Sequence, residues 1–282
     1  MRNLRRKSLF TFAIAIATAT TAVPSIADEQ ERSGLPLWEV GAFGIAVSQQ
    51  AYPGASERVN RGLALPFLIY RGELLRADRG SAGIRALKTP TFEIDVGVAG
   101  SFGSNANEIE VRRGMPDLGT RVEFGPRLKW NIGQGPGNGL LRAEFPLRGV
   151  FDLNDGLAHK GMAFEPRLIF EGRARGGWGY STSIGALWGD RRLADTFYGV
   201  APIYATPGRS AYVAESGLVA WRLSAEVSRK LSPDLRLFGF ARADSVAGAA
   251  NEASPLVQRK AGTSVGLGLA YTWQRSTSRA TD

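Results

Sequence analysis

The sequence predicts an all-β protein: an antiparallel transmembrane β-barrel of about twelve strands, with short turns at one end and long loops at the other. Three observations predict it. Apolar residues alternate with small or polar ones through most of the chain, the polar set repeatedly carries charges, and the connections between alternating runs are long and short in turn. A period of two is what a strand shows when its faces meet different surroundings. A soluble sandwich also alternates. The loop pattern, runs of about 10 to 12 residues and aromatics gathered near run ends favour the barrel.

The chain opens with a different signature. Arg2, Arg5, Arg6 and Lys7 precede an apolar, small-residue run at 8–23, and Ser25 and Ala27 stand at the cleavage-determining positions. This reads as a secretory signal peptide over 1–27, cut before Asp28. The run is 16 residues long, short of the roughly 20 that a spanning helix needs. Four of the nine net positive charges leave with it, so the mature chain carries +5. That excess is too small to argue for nucleic acid, and it suits an anionic lipopolysaccharide surface. Cysteine is absent, in keeping with an envelope protein that needs no disulfides. Residues 28–282 show no linker or break in composition and are taken as one domain in the outer membrane of a Gram-negative bacterium.

The strands follow in order. The first run is 38–47, then a turn-rich loop, then 61–70 with Leu63, Leu65, Phe67 and Ile69 on one side. Two weaker runs at 73–77 and 83–87 follow; without them the count falls from twelve to ten. In 92–102, Phe92, Ile94, Val96 and Val98 oppose Glu93, Asp95, Gly97 and Ala99, and 120–132 alternates more sharply still. Further runs are expected at 141–151, 162–173, 178–188, 217–227 and 235–245. The last run, 264–273, sets Val265, Leu267, Leu269, Tyr271 and Trp273 against Ser264, Gly266, Gly268, Ala270 and Thr272. Its ending, Gly268 followed by two aromatics, resembles the signal read by barrel-assembly machinery. With the amino terminus in the periplasm, long connections at 48–60, 103–119, 152–161, 189–212 and 246–261 lie outside. The turns near Gly72, Pro90, Gly135, Gly176 and Pro233 lie in the periplasm.

Little in the chain points to catalysis. His159, the only histidine, falls in an expected external loop beside Lys160, and nothing in sequence pairs it with a nucleophile. Asp152, Asn154 and Asp155 lack the later bidentate acid of a calcium loop and read as a plain turn. No glycine cluster joins a strand to a helix, so no phosphate cradle and no cofactor are expected. The candidate functional residues are the charges of the polar faces: Arg121, Glu123, Arg127, Lys129, Arg142, Glu144, Arg148, Glu165, Arg167, Arg222 and Glu226. They could line a conduit that selects small charged solutes. Equally, they could pair across adjacent strands and fill a lumen little wider than its side chains.

Six segments give the chain a family resemblance. They are Tyr52-Pro53-Gly54-Ala55-Ser56, Leu65-Pro66-Phe67 with Tyr70-Arg71, Arg113-Gly114-Met115-Pro116-Asp117-Leu118, Glu123-Phe124-Gly125-Pro126, Ala194-Asp195-Thr196-Phe197-Tyr198-Gly199-Val200 and Ser254-Pro255-Leu256-Val257. In this order they resemble the MipA/OmpV family of outer-membrane proteins over essentially the whole mature sequence. The resemblance implies a barrel and, from the best-known member, a non-enzymatic scaffold joining a lytic murein transglycosylase to a murein synthase. Porin-like members also exist, which keeps a narrow channel as the alternative. A scaffold needs partner surface on the periplasmic side, where the expected topology leaves short turns, the lead at 28–37 and the tail at 274–282.

Overall fold

The computed structural model describes residues 34–71, 75–78, 81–84 and 87–280, with side chains outside 72–88. The signal peptide expected over 1–27 lies outside the described residues. Among the described residues fourteen strands form one sheet. They are β1 (Trp38–Gln50), β2 (Arg58–Arg71), β3 (Leu75–Asp78), β4 (Ser81–Ile84), β5 (Leu87–Lys88), β6 (Phe92–Ser101), β7 (Arg121–Gln134), β8 (Leu140–Asp152), β9 (Ala158–Phe164), β10 (Arg167–Ala174), β11 (Trp178–Gly189), β12 (Gly217–Lys230), β13 (Leu235–Ser245) and β14 (Ala261–Arg275). Among the described residues no helix is long and apolar enough to cross a membrane.

All pairings are antiparallel. The path runs β10-β11-β12-β13-β14-β1-β2-β3-β4-β6-β7-β8-β9, with β5 beside β6, and two further pairings, β8 with β10 and β9 with β11, connect its ends. The last strand therefore pairs with the first, Leu269 opposite Gly44 and Leu267 opposite Ala46. The single run expected at 162–173 starts earlier, at Ala158, and is two strands, and the physical cause of the break is Pro166. Proline supplies no N–H to the ladder, so pairing lapses at Glu165 and Pro166 and resumes at Arg167. His159, expected in a loop, consequently stands in β9.

Burial assigns the faces. In β7, β12 and β14 the exposed side chains include Phe124, Trp130, Trp221, Leu223, Leu267 (61% exposed) and Tyr271, while the charged or small side is covered. On β1 and β2 the polarity reverses. Phe43, Ile45 and Val47 are buried and pack with Leu63, Leu65 and Phe67, leaving Ala42, Gly44, Ala46, Gly62, Ala64 and Pro66 on the other side. The greasy side of 61–70 thus faces the same way as the charges of β7.

The stretch expected as the longest loop, 189–212, contains a helix, α1 (Arg191–Tyr198). The Asp190 carboxylate accepts a hydrogen bond from the Leu193 N–H at 2.9 Å and caps it. Leu193, Ala194, Phe197 and Tyr198 are its buried residues and join Tyr52, Ile109, Leu118, Val150 and Leu256 in the largest apolar cluster. The long connections therefore build a packed cap over one end of the sheet.

Candidate functional site

Two features of the buried face stand out, a field of ion pairs and the cap above it. The ion pairs follow from the ladder. Asp95 lies directly opposite Arg127, and Glu93 opposite Lys129, so opposite charges of β6 and β7 meet side by side. Arg127 binds Asp95 in a two-pronged contact, Nε to Oδ1 at 2.9 Å and Nη2 to Oδ2 at 2.7 Å. Lys129 reaches Glu93 at 3.0 Å and Asp95 at 2.7 Å. Glu144, fully buried, receives Arg167 at 2.6 Å and Arg142 at 3.1 Å, with Arg127 at 3.8 Å, and Arg142 also reaches Glu171 at 3.1 Å.

A second group lies nearer the cap. Arg148 bridges Glu123 at 3.0 Å and Glu165, and Arg222 joins Glu165 to Asp244, the latter at 2.8 Å. Arg242 completes it at 3.0 Å from Asp244. Isolated carboxylates buried in this way would cost several kcal/mol each, and mutual pairing offsets that cost.

Of the charges singled out from sequence, nine enter these two groups: Glu123, Arg127, Lys129, Arg142, Glu144, Arg148, Glu165, Arg167 and Arg222. Arg121 does not; it is buried beneath the cap with its guanidinium over the Phe197 ring, 4.7 Å from the centroid. Glu226 does not either, and its Oε2 is buried without a hydrogen-bond partner among the described residues. Sequence reasoning missed Glu93, Asp95, Glu171, Arg242 and Asp244. Glu93 and Asp95 already stood on the polar side of their run; the missing information was the register that sets them against Lys129 and Arg127.

The cap is held by side chains from segments far apart in sequence. The Tyr52 hydroxyl donates to the Leu256 carbonyl at 2.7 Å and the Tyr198 hydroxyl to the Pro53 carbonyl at 3.0 Å. Ser254 Oγ donates to the Tyr198 carbonyl at 2.8 Å, and Arg112 to the Phe197 carbonyl at 3.1 Å. Gly54, at φ +94, turns its carbonyl to accept from the Gln258 and Arg259 amides at 2.8 and 3.0 Å. Burial pushes the Tyr52 and Tyr198 phenols well above the ordinary tyrosine value, so both are donors at neutral pH. Four of the six segments behind the family resemblance, at 52–56, 113–118, 194–200 and 254–257, meet or adjoin here.

His159 is exposed, packed on the Phe151 ring at 5.3 Å between centroids, with Nδ1 3.2 Å from Arg192. Asn154 accepts from the Thr120 amide at 2.7 Å and Asp155 pairs with Lys160 at 2.8 Å, as turn residues do.

Fold and buried face together define a class: an antiparallel all-β protein whose covered side is ion-paired except on β1 and β2 and whose other side is largely apolar. Residues 40–273 match the family described as MltA-interacting protein MipA, and the chain belongs to that family. No curated protein sequence matches the chain. Among solved structures it is similar to OprB of Pseudomonas putida, with 7% identity, covering 88% of this chain and 96% of that one, at a TM-score of 0.41. It is likewise similar to outer membrane phospholipase A from Escherichia coli, with 12% identity, 88% and 98% covered, at 0.38. A third is the NanC porin, with 11% identity, 83% and 98% covered, at 0.34.

Proposed function

We propose that this chain is a twelve-stranded outer-membrane barrel, exported by a cleaved signal, that works without catalysis by holding murein-remodelling partners at its periplasmic rim. Counting β4 with β5 and β9 with β10 as interrupted single strands gives twelve, and the pairing of β8 with β10 supports a sheet closed on itself. An outward side carrying Phe124, Trp130, Leu223, Leu267 and Tyr271 suits lipid. Contact with lipid and with lipopolysaccharide around the cap follows from that placement.

The observation that carries the scaffold reading over the channel is the buried face itself. Most of its charges are engaged with one another, and the long loops pack into an apolar cap over one end, which together argue against an open path from one end to the other. The family's description names interaction with MltA, and the family resemblance implies a lytic murein transglycosylase as a partner. Partner surface is available where the termini run on past the sheet. The Leu37 amide donates to the Ser278 carbonyl at 2.9 Å, Ala280 to Leu35 at 2.8 Å, and Arg279 to the Gly34 carbonyl at 2.6 Å, extending the β1 and β14 ladder beyond the strands. Standard interfaces bury about 800 Å² per partner, so this ladder would act with the adjoining short turns.

Single-channel recording of the refolded mature chain in a planar bilayer tests the reading. A silent bilayer, with folding shown by heat-modifiable mobility and a murein transglycosylase crosslinked through a probe at Thr277, is the expected result. Steady openings would replace the scaffold with a narrow channel for small solutes.

A further inference from the structure

We infer that the wall around Glu226 is a binding site for a primary ammonium carried on an apolar body. Glu226 stands apart on a face where carboxylates are otherwise engaged: Oε2 is buried and without a partner, and no ion pair among the described residues reaches it. Arg167, Arg222 and Arg242, on β10, β12 and β13, are each committed elsewhere. Arg167 is bound to Glu144 at 2.6 Å, Arg222 to Asp244 at 2.8 Å, and Arg242 to the same Asp244 at 3.0 Å. Glu144, and Glu171 two strands along the same row, are held by Arg142. A covered carboxylate oxygen lacking a donor costs free energy, and because Glu226 as a whole is only half-buried, its carboxylate can turn to a bound donor and recover that cost.

The ladder around Glu226 specifies the donor. Ser181 on β11 lies directly opposite on one side and Phe240 on β13 on the other. Ser224 and Ser228 flank it two residues away on the same face, and Ser181 and Ser228 are buried. An ammonium has three donors in a compact group, matching one carboxylate and neighbouring hydroxyls better than a planar guanidinium does. A divalent metal would need more acid: no group of three metal-capable side chains gathers among the described residues.

The apolar body has its own wall. Phe240 and Phe238 lie over Gly266 and Gly268, where a β-carbon would come within 2.3 and 2.5 Å of their rings. That aromatic pair continues into the Phe43, Ile45 and Val47 cluster of β1 and β2. Carboxylate and hydroxyls on β11 and β12 thus stand beside an aromatic wall that starts on β13 and leans over β14, the combination that an amphipathic amine spans. The inference rests on pairing and burial, so a conducting or a silent bilayer leaves it standing.

Equilibrium dialysis of the refolded full chain in detergent micelles with 2-phenylethylammonium, against a protein-free micelle blank and 2-phenylethanol, tests it. The amine should be retained above the blank, and retention should weaken roughly tenfold or more in Glu226→Gln, while the alcohol is unaffected. Equal amine retention by the two proteins, or none above the blank, would overturn the proposal. If Glu226→Gln does not fold, the wild-type chain decides alone: amine favoured over alcohol sustains the site, and equal retention removes it.

Discussion

The sheet turns two unlike walls to the same buried side. From β6 through β10 and on to β13 that side carries Asp95, Arg127, Glu144, Arg148, Arg222 and Asp244, joined by contacts of about 3 Å. On β1 and β2 it carries Phe43, Ile45, Val47, Leu65 and Phe67, and β14 between them and β13 offers Gly266 and Gly268. Both walls come from strands with the same period of two. The difference teaches that alternation tells which residues share a face, while its content does not tell which face is covered.

The walls should fail differently. Arg127→Glu would set a third carboxylate beside Asp95 and Glu144, converting a compensated pair into repulsion. The expected loss is about 3 to 5 kcal/mol, or failure to fold, read by urea titration of the refolded barrel in detergent. On the apolar wall, Gly268→Ala places a β-carbon 2.5 Å from the Gly44 carbonyl oxygen and from the Phe238 ring. A loss of about 1 to 3 kcal/mol by the same titration is expected, because both the ring and the Gly44 backbone must shift.

The cap should be a smaller and separable unit. Tyr52→Phe removes the donor to the Leu256 carbonyl, and a loss of about 1 kcal/mol should appear as faster proteolysis within 246–260. Alkali acts on the same groups. Because folding raises the Tyr52 and Tyr198 values, their contribution is complete below the unfolded tyrosine value near 10 and declines as pH rises past it. Cap protection against hydrogen exchange, corrected for the faster intrinsic exchange at high pH, should therefore weaken above about pH 10 before the strand ladders do. Simultaneous loss across cap and ladders would merge the two regions into one cooperative unit.

Much of this was legible in the sequence, and particular residues show why. In 120–132 the alternation is unbroken, and β7 spans Arg121–Gln134. Arg127 and Lys129 could be placed on one face from that run alone. Their partners could not, since the contact with Asp95 depends on a register set across 32 residues of chain. Pro166 marked an interruption that the alternation on either side concealed. The helix at 191–198 was hidden for a different reason: its buried side packs with Tyr52, Ile109 and Leu256, residues that lie far away in sequence.

The sequence by itself determined the strand-rich class, the phase of each alternating run and the family, because these depend on local period and on short segments. Only the tertiary structure decided which phase is covered on β1 and β2, how the charges are matched and what lies under the cap. Those outcomes depend on neighbours brought together by strand register, and a period of two reads the same whichever side is turned inward.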